Sequence, residues 1–389
     1  MKKKKYQVVI LIAVIFIGGF AAGIFYAKSN IQPHSIKLAK TAAQSAKSPV
    51  KKNAPELPDL PSKVLIGYVQ DYRDPNDVDY SNLTHVIFSF AHPEKDGSLS
   101  FNGDTAMANL RQMVTNAHKH EIKAILAVGG WFHIHGGESY EYFKTAIANA
   151  SSRNKLVNEL AGVVQRENLD GIDIDFEHPR SEMDAKYLSA FIHDLSNVLQ
   201  ANEKELSVAV HAKIHSVTGT ETGFVIYEPS MFKNVDYVNV MAYDGQWDGG
   251  YNASNLSPYS FAENIVNYWA NLFDSHNISK DKLVLGVPLY AQPEDPAIKQ
   301  VSYEAIINRN PENAGRDKIS MNGTTYYYNG EATMKKKTNL ALNNGFGGMM
   351  IWEVGLDAKG SYSLAGAMAG VLKNTEIDHI KYYSIKNSE

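Results

Sequence analysis

Eight short apolar runs separated by longer amphipathic segments constrain the fold of this 389-residue chain more than any other feature. Runs of this length match buried strands, and the segments between them have the length and pattern of helices that cover a sheet. This alternation predicts a parallel α/β sheet, and eight strands are the number that closes a (β/α)8 TIM barrel. The candidate strands are Val64 to Val69, Thr84 to Phe90, Lys123 to Val128, Gly171 to Asp175, Leu206 to His211, Tyr237 to Ala242, Leu283 to Val287 and Phe346 to Trp352.

The interval between the seventh and eighth candidate strands is too long for one loop and one helix. We therefore expect a small insertion between these strands at about 291–344, with short strands around Thr324 to Tyr328. The barrel domain should span 63–375, followed by a polar tail over 376–389. The chain has no Cys, which excludes disulfides, thiolate metal sites and a cysteine nucleophile.

The N-terminal segment has the pattern of a membrane-targeting sequence. Four Lys at positions 2–5 precede an apolar run without charges from Val8 to Ala27. Twenty helical residues span roughly 30 Å, the thickness of a bilayer core. We expect residues 1–27 to be an uncleaved transmembrane signal anchor that leaves the remaining chain extracytoplasmic. The alternative is a signal peptide cleaved near Gly19-Phe20-Ala21, which would release a secreted protein.

Residues 28–62 are rich in Lys, Ala, Ser and Pro and are expected to form an extended linker. Residues 1–62 contain ten Lys against Glu56 and Asp59, which leaves 28 basic and 40 acidic residues, a net charge of −12, for residues 63–389. An acidic domain argues against nucleic acid as a partner. The basic linker could contact anionic lipid or wall polymer, or serve solubility alone.

The fourth candidate strand carries an unusual row of carboxylates. Asp173, Asp175 and Glu177 alternate with apolar residues, so in a strand they would share one face. Neighbouring members of this row would lie roughly 6.6 Å apart. Their mutual repulsion should raise the pKa of at least one carboxyl. A carboxyl that keeps its proton at neutral pH can act as a general acid.

Polar, glycine and aromatic residues follow several other candidate strands. Catalytic side chains of a barrel gather at the carboxyl ends of its strands. Gly129-Gly130-Trp131 follows the third strand, Met241-Ala242-Tyr243-Asp244 closes the sixth, and Trp352 closes the eighth. Each motif alone also fits an ordinary turn, a capped strand end or a core aromatic. A Trp at a barrel mouth can support a sugar ring.

Together these motifs resemble glycoside hydrolase family 18. Asp-Gly-x-Asp-x-Asp-x-Glu at 170–177, Gly-Gly-Trp at 129–131, Met-x-Tyr-Asp at 241–244, Gly-x-Pro-x-Tyr at 286–290 and Trp352 occur in the family's order. The likeness covers nearly all of residues 63–373. It implies a (β/α)8 chitinase, an endo-β-N-acetylglucosaminidase or an inactive sugar-binding relative, with no cofactor and no metal.

The resemblance also implies individual roles. Glu177 would protonate the leaving glycosidic oxygen, Asp175 would orient the substrate's acetamido group, and Asp173 would balance a proton or charge behind Asp175. Tyr243 would hydrogen-bond the acetamido carbonyl, and Tyr68 is similar to a family tyrosine that backs Asp173. The expected substrate-binding residues are Asp244, Trp352, Tyr68, Gly130, Trp131, Met241 and Tyr290.

The residues themselves favour substrate assistance, which is the mechanism known for this family. A two-carboxylate retaining enzyme needs a nucleophile across the sugar from its acid. Asp173, Asp175 and Glu177 are expected to project in one direction, so none would flank the ring opposite another. The substrate's own acetamido oxygen can fill this role, and Asp244 is the rival nucleophile.

Ala127 is a departure from the family pattern. The family often has Ser at this position, two residues before the paired glycines, and its hydroxyl could hydrogen-bond Asp173. Loss of one hydrogen bond costs roughly 1 kcal/mol. We therefore expect a shifted pH profile rather than loss of activity.

His133 and His135 have a spacing that could suggest a metal pair. No third ligand lies nearby in the sequence, and three or four are usual for zinc. The pattern therefore favours loop residues that line the cleft, and no metal is expected.

The leading hypothesis is a retaining glycosidase that cleaves β-1,4 bonds in N-acetylglucosamine polymers such as chitin and chito-oligosaccharides. The His178-Pro179 ending of the acidic motif and the barrel insertion favour a chitinase over an endoglycosidase. The alternatives are cleavage of N-glycans or peptidoglycan, and a non-catalytic chitinase-like lectin. Such lectins usually lack the acid at the position of Glu177.

Overall fold

The structure is a computed structural model that describes residues 63–374. The predicted signal anchor or signal peptide, the linker and the polar tail lie outside the described residues, so these assignments stay predictions. Within 63–374, no helix combines the length and apolar character needed to cross a bilayer.

Thirteen strands are present in the described part of the chain. In chain order they are β1 (Val64–Gln70), β2 (His85–Pro93), β3 (Leu99–Ser100), β4 (Lys123–Gly129), β5 (Gly171–Asp175), β6 (Glu205–His211), β7 (Tyr237–Met241), β8 (Leu283–Pro288), β9 (Tyr290–Pro293), β10 (Val301–Ser302), β11 (Lys318–Met321), β12 (Thr324–Tyr327) and β13 (Gly348–Trp352).

Eight of these strands close into a parallel barrel. Their order is β1-β13-β8-β7-β6-β5-β4-β2, and β1 pairs with β2 to complete the ring. The predicted eight-stranded barrel is therefore confirmed. The eight candidate runs match these strands with end shifts of at most three residues. The acidic strand ends at Asp175, so Glu177 lies just beyond it.

Helices surround the barrel and bury one face each. They are α1 (Gly103–Lys119), α2 (Tyr140–Ala148), α3 (Ala150–Arg166), α4 (Glu182–Gln200), α5 (Tyr259–Ser275), α6 (Tyr303–Arg309) and α7 (Glu331–Asn343), followed by a helical segment over 364–374. On α1 the buried residues Leu110, Met113, Val114 and Ala117 recur at helical spacing. Trp269 on α5 is fully buried.

The insertion between β8 and β13 is a small four-stranded antiparallel sheet of order β10-β9-β12-β11. Strand β12 lies where short strands were expected. Helix α7, however, packs against α5, β8 and β13 and so belongs to the barrel. The expected boundary at about 344 is therefore wrong, because the insertion ends before Glu331.

The barrel separates two apolar layers. Alternate residues of β1 point in opposite directions: Leu65 and Val69 join the large cluster between strands and helices, whereas Ile66 and Tyr68 join a smaller cluster inside the barrel. Met241, Tyr243 and Trp352 pack against this inner cluster. The inner cluster therefore forms the floor beneath the carboxyl-end face of the barrel.

Candidate active site

Asp173 is fully buried inside the barrel and accepts hydrogen bonds from three strands' side chains. The Tyr68 hydroxyl donates to Oδ2 at 2.7 Å, and the Ser207 hydroxyl donates to Oδ1 at 2.5 Å. Asn239 Nδ2 lies 3.1 Å from both Oδ1 and the Tyr68 oxygen. Burial raises the pKa of Asp173, and the hydrogen bonds from Ser207, Tyr68 and Asn239 lower it.

Ser207 supplies the hydroxyl that Ala127 does not. Asp173 pairs in register with Ala127 on β4 at one side and with Ser207 on β6 at the other. In-register residues of neighbouring strands point to the same face of the sheet. A hydroxyl from the neighbouring strand on the other side therefore takes the place of the one missing at position 127, and the expected shift of the pH profile stays a prediction.

Asp175 is the next residue of the acidic row on the same face. Its side chain is buried, and its Oδ1 has no hydrogen-bond partner. Burial, followed by the charges of Glu177 and Asp173, raises the pKa of Asp175 well above its usual value. A buried carboxyl oxygen without a partner is costly, so this oxygen is a site where a ligand N–H would be stabilised.

Glu177 lies just past the end of β5 and is partly exposed. Burial and the charge of Asp244 raise its pKa to about 8. At neutral pH this carboxyl therefore holds a proton that it can donate. Of the three carboxyls in the acidic row, Glu177 is the one that is both protonated and partly exposed to the cleft.

Asp244 comes from the end of β7, in a left-handed backbone conformation with φ of 63°. Its Oδ1 accepts hydrogen bonds from the Tyr290 hydroxyl at 2.6 Å and from Gln246 Nε2 at 3.0 Å. The neighbouring Tyr243 side chain is partly exposed, and its hydroxyl contacts Met350 Sδ at 3.9 Å. Burial and the nearby carboxyls, Asp175 first, raise the pKa of Tyr243, so its hydroxyl stays a hydrogen-bond donor.

Aromatic rings form one wall of the cleft. The Trp352 ring stacks on Phe90 with centroids 5.9 Å apart and contacts Tyr68 at 5.7 Å. Trp131 is 39% exposed and lies 5.9 Å from the ring of His178. Partly exposed aromatic rings of this kind can stack on sugar rings.

The two glycines after β4 lie so close to neighbouring atoms that a side chain at either position would clash. A Cβ on Gly129 would lie 2.1 Å from the Asp175 carbonyl oxygen, and one on Gly130 would lie 2.8 Å from the Phe90 ring. Both residues have positive φ, and the Gly130 N–H donates to the Asp175 carbonyl at 2.9 Å. Gly130 therefore positions Asp175 through the backbone, and a direct contact of Gly130 with substrate stays a prediction.

An ion pair fixes the chain immediately after Trp352. Glu353 is 1% exposed, and the Arg73 guanidinium contacts its Oε1, with Nε at 3.0 Å. The Glu353 carboxylate also accepts the Gly355 N–H. This pair connects the loop after β13 to the loop after β1 on the side of the cleft that holds Trp352.

The structure thus brings together all the residues predicted for the site, at or near the carboxyl ends of β1, β4, β5, β7, β8 and β13. Met241 is partly buried and packs against the inner cluster, whereas Asp244 is exposed. Trp247, 62% exposed, lies at the rim beside Tyr251.

Sequence reasoning missed Ser207, Asn239 and Phe90. Ser207 and Asn239 are single polar residues that alternate with apolar ones inside buried strands, and this pattern could have marked them. Phe90 carries no comparable signal, because its stacking on Trp352 depends on the closure of the barrel.

A buried acidic row that ends in a protonated carboxyl, beside an aromatic wall at the carboxyl-end face of a closed barrel, is the arrangement of a barrel glycoside hydrolase. A sequence model of the family "Glycosyl hydrolases family 18" matches residues 64–357. The chain belongs to this family and is a chitinase-like glycoside hydrolase.

Similar proteins carry chitinase names. The chain is 29% identical over 238 residues to "Probable chitinase 10" of Drosophila melanogaster, which covers 56% of this chain and only 10% of that protein. It is 23% identical over 360 residues to "Endochitinase 1" of Metarhizium anisopliae, covering 78% of this chain and 82% of that protein. The solved structure of the GH18 chitinase ChiB from Flavobacterium johnsoniae superposes with a TM-score of 0.67 at 25% identity, over 81% of this chain and 96% of that chain.

Proposed function

We propose that this protein hydrolyses β-1,4 bonds in N-acetylglucosamine polymers, such as chitin and chito-oligosaccharides, with retention of configuration and with the substrate's acetamido group as nucleophile. The observation that carries the proposal is the unpartnered Oδ1 of buried Asp175 beside the proton-bearing Glu177. The first group can accept an amide N–H, and the second can donate a proton.

The first step cleaves the glycosidic bond. The Glu177 proton moves to the leaving oxygen as the bond from that oxygen to the anomeric carbon breaks. The acetamido oxygen forms a bond to the same carbon from the opposite face, which gives an oxazolinium ion. Asp175 accepts the acetamido N–H, and its carboxyl stabilises the positive charge that develops. Tyr243 donates a hydrogen bond to the acetamido carbonyl in this scheme.

The second step restores the sugar. The Glu177 carboxylate takes a proton from water, whose oxygen attacks the anomeric carbon and opens the five-membered ring. The acetamido group returns to its neutral form, and the product keeps the β configuration. Two displacements at one carbon account for retention.

Asp173 acts behind Asp175 rather than on the substrate. Its three hydrogen bonds favour its ionised form, while burial favours its neutral form. A proton shared within this pair would let Asp175 carry the negative charge when the oxazolinium ion forms. Asp244, whose Oδ1 is occupied by Tyr290 and Gln246, serves in this scheme to bind the sugar and to raise the pKa of Glu177.

The choice of chitin rests on the relatives, which include proteins named chitinases and a "Secreted chitinase LysM12" of Penicillium expansum. An extracytoplasmic place agrees with a polymeric substrate that cannot enter a cell. The membrane anchor over residues 1–27 remains part of this proposal, with signal cleavage and secretion as its alternative.

The test is digestion of chitohexaose with product analysis by mass and by proton NMR of the anomers. The proposal expects β anomers as first products, and no cleavage of the fully deacetylated hexamer, which lacks the nucleophile. Glu177→Gln should lower kcat about 10²–10⁴-fold with binding kept, whereas Glu182→Gln, an exposed acid on α4, should change little. First products with the α configuration, a covalent ester on Asp244, or cleavage of the deacetylated hexamer would contradict the mechanism.

Parallel digests separate the other candidate substrates. Purified peptidoglycan and a high-mannose glycoprotein are incubated under the same conditions, and released sugars are identified by mass. If sugars are released faster from peptidoglycan or from the glycoprotein than from chitohexaose, that polymer and not chitin is the preferred substrate. Binding of chitohexaose without turnover of any of the three would identify a lectin.

A further inference from the structure

Glu94, His133 and His135 form a cluster outside the carboxylate site. Glu94 directly follows β2, and both histidines lie in the loop that leads from β4 past Trp131 to α2. Their potential ligand atoms all lie within 4.8 Å of one another. The sequence spacing indicated a pair of histidines without a third ligand. The fold of the barrel brings Glu94, which lies 39 positions before His133, next to this pair as a third potential ligand.

His133 is the inner member of the cluster. Its side chain is fully buried and stacks on Tyr142 with centroids 3.7 Å apart and planes 6° from parallel. Nδ1 accepts the N–H of His135, whereas Nε2 is buried and has no hydrogen-bond partner. Metal binding through Nε2 requires the ring proton to sit on Nδ1, so the contact from the His135 N–H must open when an ion binds.

Two of the three distances between the ligand atoms bracket the separation expected around a tetrahedral ion. Two ligands bound at the usual zinc distances of about 2.0–2.1 Å lie roughly 3.3 Å apart. Glu94 Oε1 is 2.9 Å from His135 Nε2 and 4.0 Å from His133 Nε2, which brackets that value. Ser100 donates to the same Glu94 oxygen at 2.7 Å and so orients the carboxylate.

The loop geometry holds the two histidines together. The His133 N–H donates to the Gly137 carbonyl at 3.0 Å, and the Gly136 N–H donates to the His133 carbonyl at 2.8 Å. His135 is the outer member, with a side chain 55% exposed. An ion can therefore enter from solvent on the His135 side and keep its fourth position for water.

We propose that Glu94, His133 and His135 bind a divalent transition cation of the zinc class, through one carboxylate oxygen and two imidazole nitrogens. Two imidazoles and one carboxylate are a known zinc ligand set. The bound ion would tie the extension of β2 to the loop that carries Trp131. The inference stands on this geometry and does not depend on the proposed glycosidase activity.

The test measures metal binding by the full-length chain, purified without a histidine tag and treated with chelator. Zn²⁺ is titrated in competition with a chromophoric chelator, and Co²⁺ is titrated as a spectroscopic probe of tetrahedral coordination. His135→Gln and Glu94→Gln should each weaken Zn²⁺ binding at least tenfold. His276→Gln, an exposed histidine at the end of α5, is the matched control and should leave the affinity unchanged.

Thermal unfolding gives a second readout that needs no substrate. A ligand at 100 times its Kd should raise the Tm of a domain this size by about 4 °C. Zn²⁺ should produce this rise in the parent chain and in His276→Gln, and not in His135→Gln. Absence of saturable 1:1 binding in the parent chain, or equal Zn²⁺ affinity in His135→Gln and the parent, would overturn the proposal.

Discussion

Ser207→Ala removes one of the three side chains that hydrogen-bond buried Asp173. The lost bond is the 2.5 Å contact from the Ser207 hydroxyl to Oδ1. This bond lowers the pKa of Asp173, so its removal must raise that pKa. If the Asp173–Asp175 pair has to carry negative charge opposite the oxazolinium ion, activity will then be lost at a higher pH as the medium is acidified.

The size of the effect follows from the charge on the acceptor. A hydrogen bond to an ionised group contributes about 1.5–3 kcal/mol, and about 1.4 kcal/mol corresponds to one pH unit in a pKa. Asn239 still reaches the same carboxylate oxygen at 3.1 Å, which favours the lower end of the range. We expect the acidic limb of kcat/KM to move upward by about 1 pH unit.

The assay is the pH dependence of kcat/KM on a chromogenic chito-oligosaccharide. The basic limb belongs to Glu177 and should stay in place, which serves as an internal control. Ala127 lies in register with Asp173 on the opposite neighbouring strand, so Ala127→Ser combined with Ser207→Ala should return the acidic limb toward its original position. An acidic limb that does not move in Ser207→Ala, or that the second hydroxyl fails to restore, would refute this reasoning.

Three further predictions concern the cleft. Burial and, second to it, the charge of Asp244 raise the pKa of Glu177 to about 8. Asp244→Asn removes the second cause, so the basic limb of kcat/KM should move to lower pH; an unmoved limb would exclude this electrostatic role. Gly130→Ala forces a left-handed alanine with its Cβ 2.8 Å from the Phe90 ring, and its free energy of unfolding, measured in urea, should fall by about 1–3 kcal/mol. If Gly130→Ala is as stable as the parent protein, the Phe90 ring can move away from the added Cβ at little cost. Trp352→Ala should raise KM for chito-oligosaccharides about tenfold, roughly 1.4 kcal/mol; an unchanged KM would place the sugar elsewhere.

The barrel and its acidic row were predictable because both depend on local periodicity. Strands of five to seven residues with apolar side chains, such as Gly171–Asp175 and Tyr237–Met241, leave a pattern that can be read without knowing their neighbours. The boundary of the insertion was not predictable in this way. Helix Glu331–Asn343 is only weakly amphipathic, with Lys337 and Thr338 among its buried residues, and only its contacts with β8 and β13 assign it to the barrel.

The hydrogen-bond partners of Asp173 depend instead on strand register. Tyr68 is 105 positions away and Asn239 is 66 positions away, so no local pattern links either residue to Asp173. The register of the strands also places the Ser207 hydroxyl where it can donate to Asp173, the hydrogen bond that was expected from position 127. A shift of one residue in either pairing would turn these side chains to the other face of the sheet.

The sequence by itself determined the eight strands, the alternating carboxylates and the order of the motifs, because each is encoded within a few consecutive residues. Only the tertiary structure decided which distant groups meet: the three donors around Asp173, the Asp244 charge near Glu177, and Glu94 beside the two histidines. Closure of the barrel sets these encounters through the pairing of strands far apart in the chain. The pKa of a carboxyl depends on burial and neighbouring charge, and both exist only once that closure has occurred.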